Sequence, residues 1–266
     1  MKKAYTHHDQ RVQAMLKVVK KEKLLYLNLA LQAPHQVMGK TLTDVLTIIS
    51  GLCWTLVYVL IIVRSYRDKT YGMPYWALAF NFSWEFIFSF ILSVHSPDQQ
   101  LQLLINRVWL LFDVFIFISY FLYGKKEWPT NLSHGLFYLY SLLVLATGYF
   151  FVYLISVELD GSRGKYAAFI QNLMMSWLFI AMFQRRKNMA GQSVGVAAFK
   201  LVGTLAPTLI YGAKSNFVLF LGLSCLVADL IYLVLLIDFR RKSKPSSEVI
   251  DYGLKLQGKE KRKSIT

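Results

Sequence analysis

The stretch PYWALAFNFSWEFIFSFILSV, Pro74 to Val94, decides the fold. It is long enough to cross a hydrocarbon core of about 30 Å, and its one charged residue, Glu85, stands near its middle. A carboxylate at that depth costs roughly 2.5–3.5 kcal/mol on insertion scales, so it is expected to face a bundle interior and to have a task. Working outward, six more apolar runs have spanning length: Thr43–Val63, Leu101–Tyr123, Gly135–Val157, Tyr166–Phe183, Gly195–Gly212 and Asn216–Ile237. Two of them carry a central acid of their own, Asp113 and Asp229. The reading is an all-α, polytopic seven-transmembrane-helix bundle over residues 41–239. A basic amphipathic segment, 1–40, precedes it and a basic tail, 240–266, follows.

Composition agrees. The 266-residue chain is 55% hydrophobic and 15% aromatic, with a mean hydropathy of +0.40, which is the balance of a membrane protein rather than a soluble domain. Brief loops leave room for one membrane domain, and Met1–Lys23 lacks the apolar core of a cleavable signal. Cys53 and Cys225 both fall within spans, giving neither a disulfide framework nor a zinc spacing.

The formal charge of +15 does not point to nucleic acid, because the basic residues gather at membrane edges. Arg64, Arg67 and Lys69, Lys125 and Lys126, Arg185, Arg186 and Lys187, and Arg240, Arg241, Lys242 and Lys244 fall on one side if seven spans are crossed in turn. The opposite short loops hold only Arg163, Lys165 and Lys214. The positive-inside rule then places the C-terminus in the cytosol. Further lysines and arginines in the first forty residues oppose this bias. There, Val12–Leu31 reads as an interfacial amphipathic helix, on a leaflet left open. The tail Lys255–Thr266 reads as a solvated, disordered end.

Helical rise sets the depth of the three acids. Glu85 is 11 residues from Pro74, Asp113 is 12 from Leu101 and Asp229 is 13 from Asn216, or roughly 16, 18 and 20 Å at 1.5 Å per residue. All three are expected in one layer near the midplane, facing a common polar cavity. Asn81, one turn before Glu85, is placed to hydrogen-bond its carboxyl and fix its rotamer, and Trp84 flanks it. Trp109 and Asn106 share a stripe with Asp113, and Cys225 and Tyr232 share one with Asp229. A buried carboxylic acid keeps its proton and can act as a general acid. Aromatic faces stabilise nearby positive charge by about 0.5–2 kcal/mol each. Together they suit carbocation chemistry on a hydrocarbon chain.

Plainer roles compete for several of these residues. Polar side chains also glue membrane helices together, and Asp113 is the acid most readily explained so, with Arg107 in its span and Asn106 on its face. Lys200, five residues inside the sixth run, is expected to snorkel its ammonium to the cytosolic edge. Asp44 and Asp238 read as boundary residues. Trp54, Trp76, Trp128 and Trp177 read as packing or interface-belt residues.

Motif absences narrow the class. The chain has no GxxxxGK[ST], no HExxH and no DDxxD-type cluster to hold magnesium against a diphosphate, so no metal or cofactor is expected. The seventh run has no lysine for a retinal Schiff base, and no repeat relates the two halves as in many transporters. A proton-coupled small-molecule transporter or a seven-helix receptor stays open as the alternative, since intramembrane acids also build proton relays.

Tyr71-Gly72-Met73-Pro74, then Ala77-Leu78, Asn81 and Trp84-Glu85-Phe86, resembles the second-helix signature of the small integral-membrane terpene cyclases. These are the paxilline- and pyripyropene-type enzymes of fungal meroterpenoid and indole-diterpene pathways, with bacterial relatives. The likeness extends through Trp109 to Asp113, Gly191-Gln192-Ser193, Lys200, Gly203-Thr204, and Asp229 with Tyr232, covering roughly Thr43 to Phe239. It implies a metal-independent cyclase that two acids, here Glu85 and Asp229, start by protonating an epoxide or alkene. The substrate it implies is a lipophilic prenylated aromatic or indole taken from the bilayer. Asn81, Trp84, Trp109, Asp113 and Tyr232 are then expected to line or orient the pocket. An upstream prenyltransferase and epoxidase would be pathway neighbours. The membrane would be the endoplasmic reticulum in a fungus and the plasma membrane in a bacterium. The long basic N-terminal segment departs from the family pattern.

Overall fold

The computed structural model describes residues 39–92 and 100–243. The amphipathic segment Val12–Leu31 and the tail Lys255–Thr266 lie outside the described residues. Within them all regular structure is helical: α1 Lys40–Asp68, α2 Tyr75–Phe86, α3 Gln100–Tyr123, α4 His134–Leu154, α5 Lys165–Arg186, α6 Val194–Gly212 and α7 Asn216–Lys242. Local chemistry sets the boundaries. Ser133, Ser193 and Ser215 cap α4, α6 and α7, their hydroxyl oxygens accepting the N–H of Leu136, Val196 and Val218. The Asp160 carboxylate does the same for α5, accepting from the Lys165 and Tyr166 amides.

All but α2 are long and apolar enough to cross a membrane. The second run is shorter than its sequence suggests. Its α-helix has 12 residues and continues through a five-residue π-helical turn, Ile87–Ile91, reaching about 25 Å in all. It is also the most enclosed helix, burying Tyr75, Ala77, Leu78, Ala79, Phe80, Asn81, Ser83 and Glu85.

The helix contacts close a ring. α1 packs on α6, α6 on α7, α7 on α5, α5 on α2, α2 on α3 and α3 back on α1, with α4 laid against the outer face of α2. Small residues allow the close approaches. A Cβ on Gly203 of α6 would stand 3.0 Å from the Trp54 ring of α1, and one on Gly222 of α7 would strike Thr208 of α6. Pro207 within α6 lacks the N–H that would bond the Gly203 carbonyl. The Ser50 hydroxyl of α1 donates to that carbonyl instead, at 2.9 Å. The break is thus satisfied by a neighbouring helix, as the bilayer interior requires.

Outside the ring, leucines, valines and phenylalanines recur at helical spacing. Ile48, Leu52, Leu56, Val59 and Val63 form one exposed stripe on α1, and Phe220, Leu223, Val227, Leu230 and Val234 form another on α7. Exposed apolar stripes of this length suit lipid rather than water.

A polar clasp closes the end of the ring that carries Arg64, Lys125 and Arg185, here called the basic face. Glu127 accepts from Arg185, Arg186, Thr70 and Tyr71. Arg186 also donates to the Tyr71 carbonyl, and Asp68 accepts from the Gly191 amide. Burial, with the Glu127 carboxylate beside it, pushes the Tyr71 hydroxyl above its ordinary range and keeps it a donor. Gly72 and Gly191 meet here so tightly that a Cβ on Gly72 would lie 2.8 Å from the Gly191 carbonyl oxygen. The Tyr71–Pro74 and Gly191–Ser193 motifs therefore build this clasp.

Candidate active site

The ring encloses a cavity of about 890 Å³, lined by α1, α2, α3, α5 and α6 and by the loop Gly161–Lys165. It opens on the far face, opposite the clasp. From Thr47 at the rim to Tyr58 at the floor is 11 residues of α1, about 16 Å. The wall between is aromatic: Trp54, Trp84, Phe88 and Trp109. Two of the indoles are pinned by their N–H groups, Trp84 to the Gly164 carbonyl at 3.0 Å and Trp109 to the Thr55 hydroxyl at 3.1 Å. Gly164 has φ 73°, and a Cβ there would collide with Phe88. Only glycine both turns the chain into α5 and lets the Trp84–Phe88 pair seat against it.

Glu85 and Asn81 lie on the floor, as the sequence predicts, but their connection differs from the prediction. Asn81 does not bond Glu85. Its amide donates to the Tyr58 hydroxyl at 2.5 Å and to Asp113 Oδ2 at 2.9 Å, and the Tyr58 hydroxyl donates in turn to Glu85 Oε1 at 3.1 Å. The reason is reach: two residues one turn apart point along one stripe, and the Tyr58 hydroxyl from α1 fits between them. Tyr58 stacks on Trp109, with ring centroids 5.9 Å apart, which fixes the hydroxyl from behind. Glu85 is 2% exposed, and its second oxygen, Oε2, has no protein partner. Among the described residues no Lys or Arg nitrogen lies within 4.0 Å of Glu85 or Asp113.

The other acids stand apart from the cavity wall. Asp113 is fully buried behind Asn81, the bundle-internal role that its neighbours suggested, although its partner is Asn81 rather than Asn106 or Arg107. Asp229 also lies off the wall, so only one of the three acids lines the expected common cavity. Lys200 corrects the sequence reading most sharply: it does not snorkel. Its ammonium is fully buried and donates to Asp229 Oδ1 at 2.7 Å and to the Ser176 hydroxyl at 2.6 Å. It lies 5.8 Å from the centroid of Trp54, which lines the cavity while Lys200 does not. A snorkelled Lys200 would leave Asp229 charged and alone in the ring, a cost of several kcal/mol. The counterion on the next helix draws the ammonium inward. Tyr232 is likewise off the cavity, donating to Gln192 Oε1 at 2.8 Å and tying α7 to the clasp end of α6.

Sequence reasoning missed Tyr58, Lys200 and Trp54 as members of this site. Tyr58 left a signal: a lone hydroxyl in the aliphatic run Leu56–Val63 needs a buried partner, and a carboxyl at matching depth is the natural one.

A buried, cation-free acid at the end of an aromatic sleeve, inside a ring of apolar helices, is a setting for protonating a hydrocarbon substrate. Residues 28–242 match the family model of the Pyr4-like transmembrane terpene cyclases. The chain is 29% identical over 220 residues to the Pyr4-family terpene cyclase mfmH of Annulohypoxylon moriforme, covering 76% of this chain and 88% of that one. It is 26% identical over 177 residues to terpene cyclase macJ of Penicillium terrestre, covering 63% and 65%. Over 78 residues it is 33% identical to terpene cyclase pyr4 of Aspergillus fumigatus, covering 29% and 31%. The chain is an integral membrane enzyme and belongs to the Pyr4-like transmembrane terpene cyclases.

Proposed function

We propose that the chain cyclises a prenylated aromatic or indole substrate by proton transfer from Glu85. One observation carries this: Glu85 lines the floor of the cavity, Tyr58 occupies its Oε1, no cation neutralises it, and Oε2 is left without a protein partner. With Oε1 accepting from Tyr58, the carboxyl proton resides on Oε2. Transfer of that proton to an epoxide oxygen breaks a C–O bond, and transfer to a terminal alkene forms a C–H bond; either leaves a tertiary cation. Successive alkenes attack it to close rings along the sleeve of Trp54, Trp84 and Trp109, whose faces stabilise the migrating charge. A final C–H proton is lost to water, and the Glu85 carboxylate regains a proton from solvent before the next turnover, so the net reaction is an isomerisation. The Tyr58 hydroxyl stabilises the Glu85 carboxylate left behind, and Asn81 holds Tyr58 in place.

Asp229 contributes differently in this reading. Paired to Lys200 behind Trp54, it keeps the cavity wall electrically neutral rather than donating a proton to substrate.

α2 is proposed as a seventh crossing. It leaves the clasp on the basic face and ends at Ile91 on the far face, and the surrounding helices can absorb its shortfall in length. The basic face is then cytosolic, with the C-terminus, and a reporter fused after Lys244 should be cytosolic. The substrate, lipid-soluble, enters from the bilayer.

The test is Glu85→Gln, which keeps size and polarity but removes the acid. Product formation per folded enzyme should fall by roughly 10²–10⁴-fold, while wild-type turnover should persist with EDTA present and without a membrane gradient. Near-normal cyclisation by Glu85→Gln would place the proton source elsewhere.

A further inference from the structure

The far-face loops carry three basic residues against the positive-inside trend, Arg163, Lys165 and Lys214. All three line the cavity mouth. The described acids of the same face do not: Asp44, Glu158 and Asp160 are absent from the lining, and Asp160 is engaged in capping α5 and pairing Lys165 Nζ at 3.5 Å. Among the described residues, no carboxylate lies within 4.0 Å of the Arg163 or Lys214 head groups. Among the described residues of these far-face loops, the three cations line the cavity mouth and the acids do not, while Lys40 at the start of α1 lies off the lining.

The cavity is polar at both ends with opposite character. Lys165 at the rim and Met175 near the floor are 10 residues apart on α5, about 15 Å, with the aromatic sleeve between. Below the rim, the amide oxygens of Gln171 and Asn172 are buried without partners, and both residues line the cavity. Gln171 is 6% exposed. Orphan acceptors at that depth call for hydroxyl donors, and the cations above them call for an oxyanion.

Building on the cyclase reading, we propose that Arg163, Lys165 and Lys214 form a head-group subsite for an anionic oxygen, so that the substrate is an acidic amphiphile bound tail-first. A carboxylate, phenolate or enolate head sits among the cations, its hydroxyl groups reach Gln171 and Asn172, and the far end of the prenyl chain meets Glu85. This arrangement fixes which end of the polyene is protonated. It also explains why cations stand where topology disfavours them.

The test uses the full chain in neutral detergent and two probes, an epoxyfarnesyl hydroxybenzoic acid and its methyl ester. Binding is read by quenching of the cavity tryptophans, and turnover by product formation. Three partly solvated cations of modest individual strength should favour the acid over the ester by about tenfold in affinity, a preference that shrinks with added salt. In the double variant Arg163→Gln/Lys214→Gln the acid-to-ester ratio should fall toward one. Both residues are exposed, so the fold should survive; Lys165 is left in place because it pairs with Asp160. A wild-type ratio near one, a ratio unchanged in the double variant, or binding of neither probe would overturn the subsite. Displacement of the acid by phosphatidylglycerol at comparable affinity would assign the cations to lipid phosphates and overturn it too. Preferential binding of the acid without turnover would support the subsite while removing the proposed cyclisation of such substrates by Glu85. Turnover of both probes without preference would do the reverse.

Discussion

Removing either member of the Lys200–Asp229 pair should damage the enzyme, and removing both should repair most of that damage. The pair is 2.7 Å apart and both side chains have zero exposure, so no solvent screens the survivor of a single substitution. Loss of one partner of such a pair typically costs about 3–5 kcal/mol, whereas replacing both with apolar groups of similar volume is often neutral or stabilising. Asp229→Leu and Lys200→Met alone should each lose about 3 kcal/mol, or roughly 6–12 °C in midpoint for a domain of this size. The double variant should return to within about 1 kcal/mol of wild type. Turnover should follow a similar pattern for an electrostatic reason. In Asp229→Leu the ammonium stays behind Trp54, 5.8 Å from its ring centroid. At about 8 Å from a developing carbocation, and with an effective dielectric near 20, it opposes that charge by about 2 kcal/mol, roughly thirtyfold in rate. The assay is a double-mutant cycle, read both as thermal unfolding in detergent and as product per folded enzyme. A double variant as stable as wild type yet as inactive as Asp229→Leu would refute the neutralising role and make Asp229 a proton donor in its own right.

Three further outcomes test the rest of the site. Tyr58→Phe removes the hydroxyl that links Asn81 to Glu85, so kcat should fall by about 10-fold or more with KM little changed, and a normal kcat would show that Glu85 needs no support. Asp113→Asn keeps a hydrogen-bond acceptor for Asn81 and lies off the cavity. It should therefore lower the yield of folded protein more than the turnover of each molecule, which the ratio of product to folded enzyme measures. Gly203→Val drives a branched side chain into Trp54 and Cys53, already 3.0 and 3.3 Å from a Cβ there. Overpacking of about 1–3 kcal/mol is expected, measured as a lower unfolding midpoint.

The sequence assigns each polar group an expected depth, because helical rise is nearly constant and the apolar runs mark where the membrane is expected to begin. Glu85 follows from that depth, Asn81 and Trp109 from helical spacing to an acid and Trp84 from its place beside Glu85, and all four line the cavity. The rotation of one helix against the next is not written in any single run, and the differences in side-chain pairing arise there. Asn81 and Glu85 share a stripe, which suggests a bond between them; the stripe instead faces the Tyr58 hydroxyl of α1, which no single run reveals. Lys200 and Asp229 are 29 residues apart and each lies inside its own hydrophobic run, so neither run shows that its charge has a partner. Taken one run at a time, Lys200 is expected at the surface and Asp229 in the cavity. Taken together, the two charges remove the need for either journey. A buried lysine and an unpaired buried acid on the following helix are each expensive alone, and the 2.7 Å pair between them removes both costs. Glu85 has no such neighbour at its depth. On the proposed reading, this absence of a counterion together with a place in the cavity wall sets Glu85 apart from Asp229 as the proton donor.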